Sequence, residues 1–198
     1  AYFEGGKLAG ATIAAVDVAL WDILGKHLGV PVWQLLGGAC RNRVPCFATP
    51  GVLTGPECVE RALALQAQGW RAFRFVPGMA EPGWTGEDGS TFEPMESIEQ
   101  AVRWLREARN ALGDGAEISI DFHHRLSVAE EALFCQRVAD LDLQFVEEPI
   151  RAQNPEAYRQ LRTMTPIPFA IGEEFSNKWE FAPFIEGGLL SYARIDVS

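Results

Sequence analysis

The feature that most constrains the fold is a strand-then-helix unit that recurs at nearly constant spacing. Six short apolar or β-branched runs end in polar residues beside Gly, Pro or helix-cap residues, as strands do. These candidate strands are Val44–Thr49, Ala72–Val76, Glu117–His123, Leu143–Glu147, Phe169–Glu173 and Tyr192–Val197. Helical periodicity marks the segments Pro56–Gln68, Met95–Leu112, Val128–Ala139, Pro155–Met164 and Lys178–Glu186. Such alternation predicts parallel strands joined by right-handed crossovers.

The spacing between strand ends favours one α/β architecture over another. Steps of 26 residues separate Ala48 from Arg74, Asp121 from Glu147 and Glu147 from Glu173, and Asp196 follows 23 residues later. The one long gap, from Arg74 to Asp121, contains an inserted loop. A (β/α)₈ barrel of about 250 residues repeats units of this length. A doubly wound open sheet has the same local pattern, but no Gly-rich phosphate-binding fingerprint follows a strand here. We therefore expect a (β/α) barrel that is incomplete, with about six units.

The remaining segments suggest how the chain is organised. Residues 1–42 contain a helix, Ala11–Leu28, which we expect to be a connector, and residues 43–198 carry barrel strands one to six. We expect a capping domain and the last two strands to lie outside this chain. The segment Pro77–Pro94 has four Gly and three Pro, which predicts a loop. It is either a plain surface loop or a substrate-contacting loop on the catalytic face.

Composition excludes some classes of partner. Lys and Arg number 17 against 27 Asp and Glu, so the net charge is −10, which disfavours nucleic acid. The apolar stretch from Ala9 to Leu24 is interrupted by Asp17 and Asp22, so we expect no membrane span. The four cysteines form no CxxC pair, which predicts buried free thiols and a cytoplasmic protein.

Acidic side chains end three consecutive strands and predict a metal site. Asp121 ends the third strand, and the motifs FVEEP and IGEE end the next two, where we expect the first carboxylate of each pair, Glu147 and Glu173, to point inward. A single strand-terminal carboxylate is usually a helix cap or a surface charge, but caps have no reason to keep phase. Three in-phase carboxylates would repel one another without a cation, and hard oxygen ligands suit Mg²⁺, with Mn²⁺ as an alternative.

A histidine follows the first of these carboxylates. His123 would share the strand face of Asp121, whereas His124 would point the other way. A lone His is more often a satisfied polar residue than a catalyst. Its place two residues from a metal-ligand candidate makes His123 the better candidate for acid–base chemistry.

Several motifs together carry a family resemblance over essentially the whole chain. The sequence AAVDVALWDILGKHLGVPVWQLLGG, then RVP, IDFHHRLS, FVEEP, IGEE and RIDVS, resembles the mandelate racemase branch of the enolase superfamily. The resemblance implies a barrel with Asp121, Glu147 and Glu173 as metal ligands. It also implies that Asp196 is the Asp of a His–Asp dyad whose His lies beyond Ser198.

Within that branch, the motifs resemble those of acid-sugar dehydratases. Racemases and cycloisomerases usually carry a KxK motif on the second strand, where this chain has Arg74-Phe75-Val76, and arginine is a poor base. The DFH motif resembles that of acid-sugar dehydratases, and DFHHRLS is close to the mannonate form as well as to the galactonate form. Pro149 in FVEEP favours the galactonate-like side, and the Pro77–Pro94 loop lacks the tyrosine expected of a mannonate-type enzyme.

The resemblance therefore implies Mg²⁺-dependent loss of water from a galactonate-like aldonate through an ene-diolate, giving a 2-keto-3-deoxy acid. His123 would protonate the leaving hydroxyl, Asp196 would orient the base, and Arg74 would bind the substrate carboxylate. Arg74 could instead pair with Glu147 or Glu173 and hold the ligand geometry. A racemase or epimerase of the same superfamily and a non-catalytic barrel scaffold are the alternative functions. We expect a homo-oligomer with a small-molecule substrate.

Overall fold

A computed structural model describes residues 6–78 and 92–196 of the chain. Within these residues the contacts form two compact units. The first unit contains residues 6–45, 172–182 and 194–196, and the second contains residues 46–78, 92–171 and 183–193. The second unit carries the whole sheet.

The elements alternate as the sequence predicts. The strands are β1 (Ala48–Leu53), β2 (Ala72–Pro77), β3 (Glu117–Asp121), β4 (Phe145–Glu147), β5 (Phe169–Ile171) and β6 (Tyr192–Ala193). The helices are α1 (Gly6–Leu28), α2 (Val32–Leu35), α3 (Glu57–Ala67), α4 (Pro94–Leu112), α5 (Val128–Arg137), α6 (Pro155–Arg162) and α7 (Lys178–Glu186). Side chains cap the first turns of α5, α6 and α7: Ser127 forms a capping box with Glu130 at α5, Asn154 caps α6, and Asn177 accepts from backbone N–H groups at the start of α7.

Strand order distinguishes the two architectures that the spacing left open. The six strands pair in parallel in the order β1-β2-β3-β4-β5-β6, which is also their order along the chain. A doubly wound sheet reverses its strand order at a switch point, whereas a barrel adds each strand beside the previous one. The α/β fold is therefore that of a partial barrel, as expected.

Ring contacts show that the sheet curls. The Phe145 ring on β4 lies 6.5 Å from the Phe47 ring, which precedes β1, and 5.2 Å from the Tyr192 ring on β6. Strands β1 and β4 are separated in the sheet by two other strands, so a flat sheet would hold these rings apart. Phe145 alternates with Glu147 along β4, and this places aromatic side chains beneath the carboxylates on the concave face.

The other face of the sheet packs against helices. Phe73, Phe75, Ile118, Ile120 and Val146 point to this face and are fully buried. Helix α4 covers it with apolar side chains at helical spacing, namely Ile98, Ala101, Leu105, Ala108 and Leu112, all of them buried. The Phe122 and Phe134 rings, 4.8 Å apart, extend this core to α5.

Strand boundaries differ from those expected. The first strand begins at Ala48 rather than Val44 and runs past Pro50, because an irregularity between Ala48 and Gly51 lets the ladder resume. Gly51 has φ +118°, a conformation that glycine adopts without strain. Pro50-Gly51 therefore forms a bulge within a strand, not the turn that its composition suggests. The third and fifth strands end two residues early, before positive-φ residues at His123 and Gly172 respectively.

Helix α1 belongs to the first unit and ends where Gly29, with φ +68°, turns the chain. It is 23 residues long, and its most apolar 18-residue window has a mean hydropathy of 1.6 and is 6% buried. Length and composition alone would let such a helix cross a bilayer, although Asp17 and Asp22 suggested otherwise. A helix of this kind near the N-terminus is weak evidence for a span, since core helices and signal sequences share its composition.

Cysteine burial also differs in part from the expectation. Cys58 and Cys135 are buried, but Cys40 and Cys46 are exposed. Most of the Pro77–Pro94 loop lies outside the described residues. The choice between a plain surface loop and a substrate-contacting loop therefore concerns residues outside the described ranges.

Candidate metal centre

Two buried carboxylates stand side by side at the carboxyl ends of β3 and β4. The strands place Asp121 directly opposite Glu147 in their parallel register. Asp121 is 1% exposed and Glu147 is fully buried, and oxygens of the two side chains lie within 4.8 Å of each other. Both carboxylates therefore project from the end of the sheet at which barrel enzymes bind their substrates.

Arg74 on β2 contacts both carboxylates. Its Nη1 donates to Asp121 Oδ2 and to Glu147 Oε2, each at 2.9 Å. The guanidinium also lies over the Phe47 ring, 5.1 Å from the centroid. This is the pairing that the sequence left open as the alternative role of Arg74, with Asp121 as an additional partner.

The electrostatics of the pair favour an additional cation. Burial raises the pKa of Asp121, and repulsion from the Glu147 carboxylate raises it further, whereas His123 and Arg74 lower it. When both carboxylates are ionised, one guanidinium leaves the group with a net negative charge. Two buried carboxylates with oxygen donors and an excess of negative charge fit a hard divalent cation such as Mg²⁺.

His123 lies beside Asp121, although not by continuing the strand. The strand ends at Asp121, and His123 has φ +51°. Its backbone N–H donates to Asp121 Oδ1 at 2.9 Å, and its Nε2 lies 3.1 Å from Asp121 Oδ2. The imidazole is 40% exposed, so it reaches both the carboxylate and solvent. Proximity to Asp121 was correctly expected, but the geometry arises from a turn rather than from strand alternation.

The second carboxylate of FVEEP is also buried, which the sequence did not indicate. Glu148 is fully buried with φ +37°, and its Oε2 lies 3.3 Å from His124 Nδ1. Side-chain alternation predicted that both residues point away from Asp121 and Glu147, with Glu148 as a cap or an ion-pair partner on the outer side. The available signal was the pair of doubled residues, His123-His124 and Glu147-Glu148. When a strand end is buried, the second polar residue of each pair needs a partner, and each can serve the other.

Glu173 and Asp196 belong to the first unit. Glu173 follows β5 by two residues and is half-buried, and Asp196 is exposed three residues after β6. Lys7 is in the first turn of α1. Its Nζ lies 3.3 Å from Asp196 Oδ2 and donates to the backbone oxygen of Glu173. Sequence reasoning did not identify Lys7, since a single lysine at a helix start carries no local signal.

Two family models match the chain. Residues 57–198 match the model described as enolase C-terminal domain-like. Residues 3–37, within the expected connector, match the model of the N-terminal domain of mandelate racemase/muconate lactonizing enzyme.

Curated relatives of the chain are named as dehydratases. It is 37% identical over 213 residues to a D-mannonate dehydratase of Sphingomonas sp., covering 100% of this chain and 53% of the relative. It is 32% identical over 197 residues to a D-galactonate dehydratase of Klebsiella pneumoniae, covering 100% of this chain and 50% of the relative. The chain thus spans about half the length of the curated relatives that it matches.

Solved structures show the same fold. An enolase from Pantoea ananatis, crystallised with D-gluconate and Mg, aligns with a TM-score of 0.84 at 26% identity, over 98% of this chain and 52% of that one. A 3,6-anhydro-D-galactonate cycloisomerase from Zobellia galactanivorans aligns with a TM-score of 0.83 at 29% identity, over 98% and 50%. By its family match, its strand order and these neighbours, the chain belongs to the mandelate racemase/muconate lactonizing branch of the enolase superfamily.

Proposed function

We propose that the protein containing this chain is a Mg²⁺-dependent dehydratase that removes water from an acid sugar to give a 2-keto-3-deoxy acid. The observation that carries the proposal is the buried Asp121–Glu147 pair with His123 Nε2 3.1 Å from Asp121. It combines oxygen ligands for a hard cation with an acid–base group at the same strand ends. Relatives named as mannonate and galactonate dehydratases support the reaction class.

The proposed metal ligands are Asp121, Glu147 and Glu173. Support for the third ligand comes from the chain itself: β5 pairs with β4 through Glu147 and Ala170, and Glu173 follows Ala170 by three residues. The Mg in the Pantoea ananatis neighbour supports the identity of the ion, and Mn²⁺ is the alternative. When bound, the ion supplies positive charge that favours loss of the proton beside the substrate carboxylate.

His123 is the proposed general acid. Hydroxide is too basic to leave unaided, so a donor must protonate the β-hydroxyl as the C–O bond breaks. In the structure, Nε2 of His123 contacts Asp121 Oδ2, the oxygen that Arg74 also contacts. If Asp121 binds the ion, its oxygens are less available to His123. We therefore propose that cation binding releases Nε2 of His123 from Asp121, so that the imidazole can face the substrate. The 40% exposure of the imidazole is compatible with this motion.

Asp196 is proposed to orient the base, a His that the resemblance places beyond Ser198. Arg74 is proposed to supply fixed positive charge near the substrate carboxylate while it supports Asp121 and Glu147. Guanidinium stays charged at all physiological pH values, so it suits a charge-stabilising role and not that of a base.

The proposed substrate is a galactonate-like aldonate. Pro149 after the two glutamates and the absence of tyrosine between Pro77 and Pro94 support this choice over mannonate. Relatives named as mannonate dehydratases and relatives named as galactonate dehydratases both match the chain, so the choice of galactonate rests on these two sequence features. A racemase or epimerase is not favoured by the dehydratase relatives. We further propose that the protein is cytoplasmic and homo-oligomeric and acts on a small molecule.

The test is turnover by the full-length enzyme with a panel of aldonic and aldaric acids, with Mg²⁺ and after its removal by chelation. We expect 2-keto acid to form from at least one six-carbon member, only with the ion present. Asp121→Asn should be inactive, whereas Asp140→Asn, which changes a 63%-exposed carboxylate paired with Arg106, should retain activity. No turnover of any member by metal-loaded enzyme would refute the dehydratase assignment.

A further inference from the structure

The turn after β3 and the turn after β4 run side by side beyond the ends of their strands. Three backbone hydrogen bonds join them. The N–H of Phe122 donates to the carbonyl oxygen of Glu147 at 3.1 Å, the N–H of His124 to the carbonyl oxygen of Glu148 at 2.6 Å, and the N–H of Leu126 to the carbonyl oxygen of Pro149 at 3.1 Å. The backbones that carry Asp121 and Glu147 are therefore joined outside the sheet as well as within it.

These turns hold an unfavourable backbone conformation. His123 has φ +51°, His124 has φ +61° and Glu148 has φ +37°, all in the left-handed region that non-glycine residues rarely adopt. Such residues persist only where surrounding contacts over-determine them, and they cluster at functional sites. A side-chain contact between the two turns would add to these backbone hydrogen bonds in holding their shape.

The pair His124–Glu148 provides that contact. Nδ1 of His124 lies 3.3 Å from Oε2 of Glu148, and the two side chains are 9% and 0% exposed. A buried carboxylate is costly unless a polar or cationic group faces it, and His124 faces Glu148 from the opposite turn. A second contact holds the turn after β4. Tyr158 of α6 is fully buried, and its hydroxyl donates to the backbone oxygen of Ile150, two residues after Glu148, at 2.7 Å.

We infer that His124 is a positioning residue, which acts through Glu148 to hold the turns that set the distance between Asp121 and Glu147. The inference rests on the proposed function, since it concerns the proposed metal ligands. Ion affinity depends on ligand spacing, and partners that orient ligands typically change metal affinity by about 10–100-fold when they are removed. His124 does not contact the reacting atoms and is distinct in role from His123.

The experiment measures Mg²⁺ affinity by calorimetry on the full-length enzyme, with thermal unfolding of the metal-free protein recorded in parallel. His124→Ala removes the imidazole, and Glu148→Gln weakens the same pair from the other side while it keeps side-chain volume. His124→Asn is the conservative variant, because Asn tolerates a positive φ and places an amide N–H near the position of Nδ1. Ile98→Val, in the fully buried core of α4, is the control for a loss of packing alone.

We expect His124→Ala and Glu148→Gln each to weaken Mg²⁺ binding about tenfold or more, and His124→Asn to restore it to within about threefold. Ile98→Val should lower thermal stability and leave the affinity unchanged. If both disruptive variants bind Mg²⁺ as tightly as the unsubstituted enzyme, the inference is overturned while the dehydratase proposal stands. If the unsubstituted enzyme binds no divalent cation, the proposed function and the inference fall together.

Discussion

Nη1 of Arg74 lies 2.9 Å from Oδ2 of Asp121, so a side chain from β2 neutralises a carboxylate at the end of β3. The same nitrogen contacts Glu147 on β4 at 2.9 Å. Three consecutive strands are thereby joined by one cation at the place where we propose that a metal ion binds. Arg74 and the ion would share the task of compensating the same buried negative charge.

Replacement of Arg74 by Met should make the protein depend more on Mg²⁺ for stability. Loss of one partner from a buried charge group costs about 3–5 kcal/mol, because the remaining charges lose their compensation. A bound ion would offset part of that loss, since ligands that bind only the native state stabilise it. Thermal unfolding of the full-length enzyme with and without Mg²⁺ checks this. A Mg²⁺-induced shift no larger than that of the unsubstituted enzyme would argue against a shared compensating role.

Neutralisation of any proposed ligand should abolish Mg²⁺ binding. Asp121→Asn, Glu147→Gln and Glu173→Gln each remove one of the charges that hold the ion while they keep side-chain shape. Calorimetry on the full-length enzyme measures the loss, and Asp140→Asn is the control with an exposed carboxylate. A variant that keeps its affinity would remove that residue from the site. Glu173 is the most informative of the three, because its role rests on its position along the chain.

His123→Asn should separate two steps of the proposed reaction. Loss of the general acid should slow dehydration by about 10²–10⁴-fold, while the proton beside the substrate carboxylate still exchanges with solvent. Product formation and deuterium incorporation in D₂O measure the two steps in the same sample. If dehydration and exchange both continue at the rates of the unsubstituted enzyme, His123 has only a structural role.

Glu131 should make stability depend on pH. Burial in α5 raises the pKa of this carboxyl from 4.5 to about 8, although the Cys135 thiol donates to it. The native state thus retains a proton that the unfolded chain releases, so the free energy of unfolding falls as pH rises from about 4.5 to about 8. The change is on the order of a few kcal/mol.

Glu131→Gln should flatten that dependence, because the amide carries no titrating proton. The free energy of chemical unfolding of the full-length enzyme, measured at pH 5, 6, 7 and 8, checks the prediction, because these pH values span the interval between the two pKa values. Glu186→Gln, at an exposed position in α7, is the control and should keep the slope of the unsubstituted enzyme. Equal slopes for Glu131→Gln and the unsubstituted enzyme would show that another group titrates in this range.

Local chemistry alone determined much of the architecture. The regular spacing of apolar runs identified six strands in the correct order, and their carboxylate ends pointed to the adjacent pair Asp121 and Glu147. These features depend on side-chain alternation and on hydrophobic periodicity, both of which act over a few residues. Family motifs added the reaction class, which spacing could not supply.

Tertiary structure decided the features that depend on contacts between distant segments. The bulge at Pro50-Gly51 moves β1 along the chain, because pairing with β2 outweighs the turn tendency of that dipeptide. The positive φ values of His124 and Glu148 occur where the turn after β3 meets the turn after β4, so no local pattern predicts them. Propensity and alternation describe one segment at a time. The spacing of ligands at the site is set by register, turn geometry and buried charge pairs between segments.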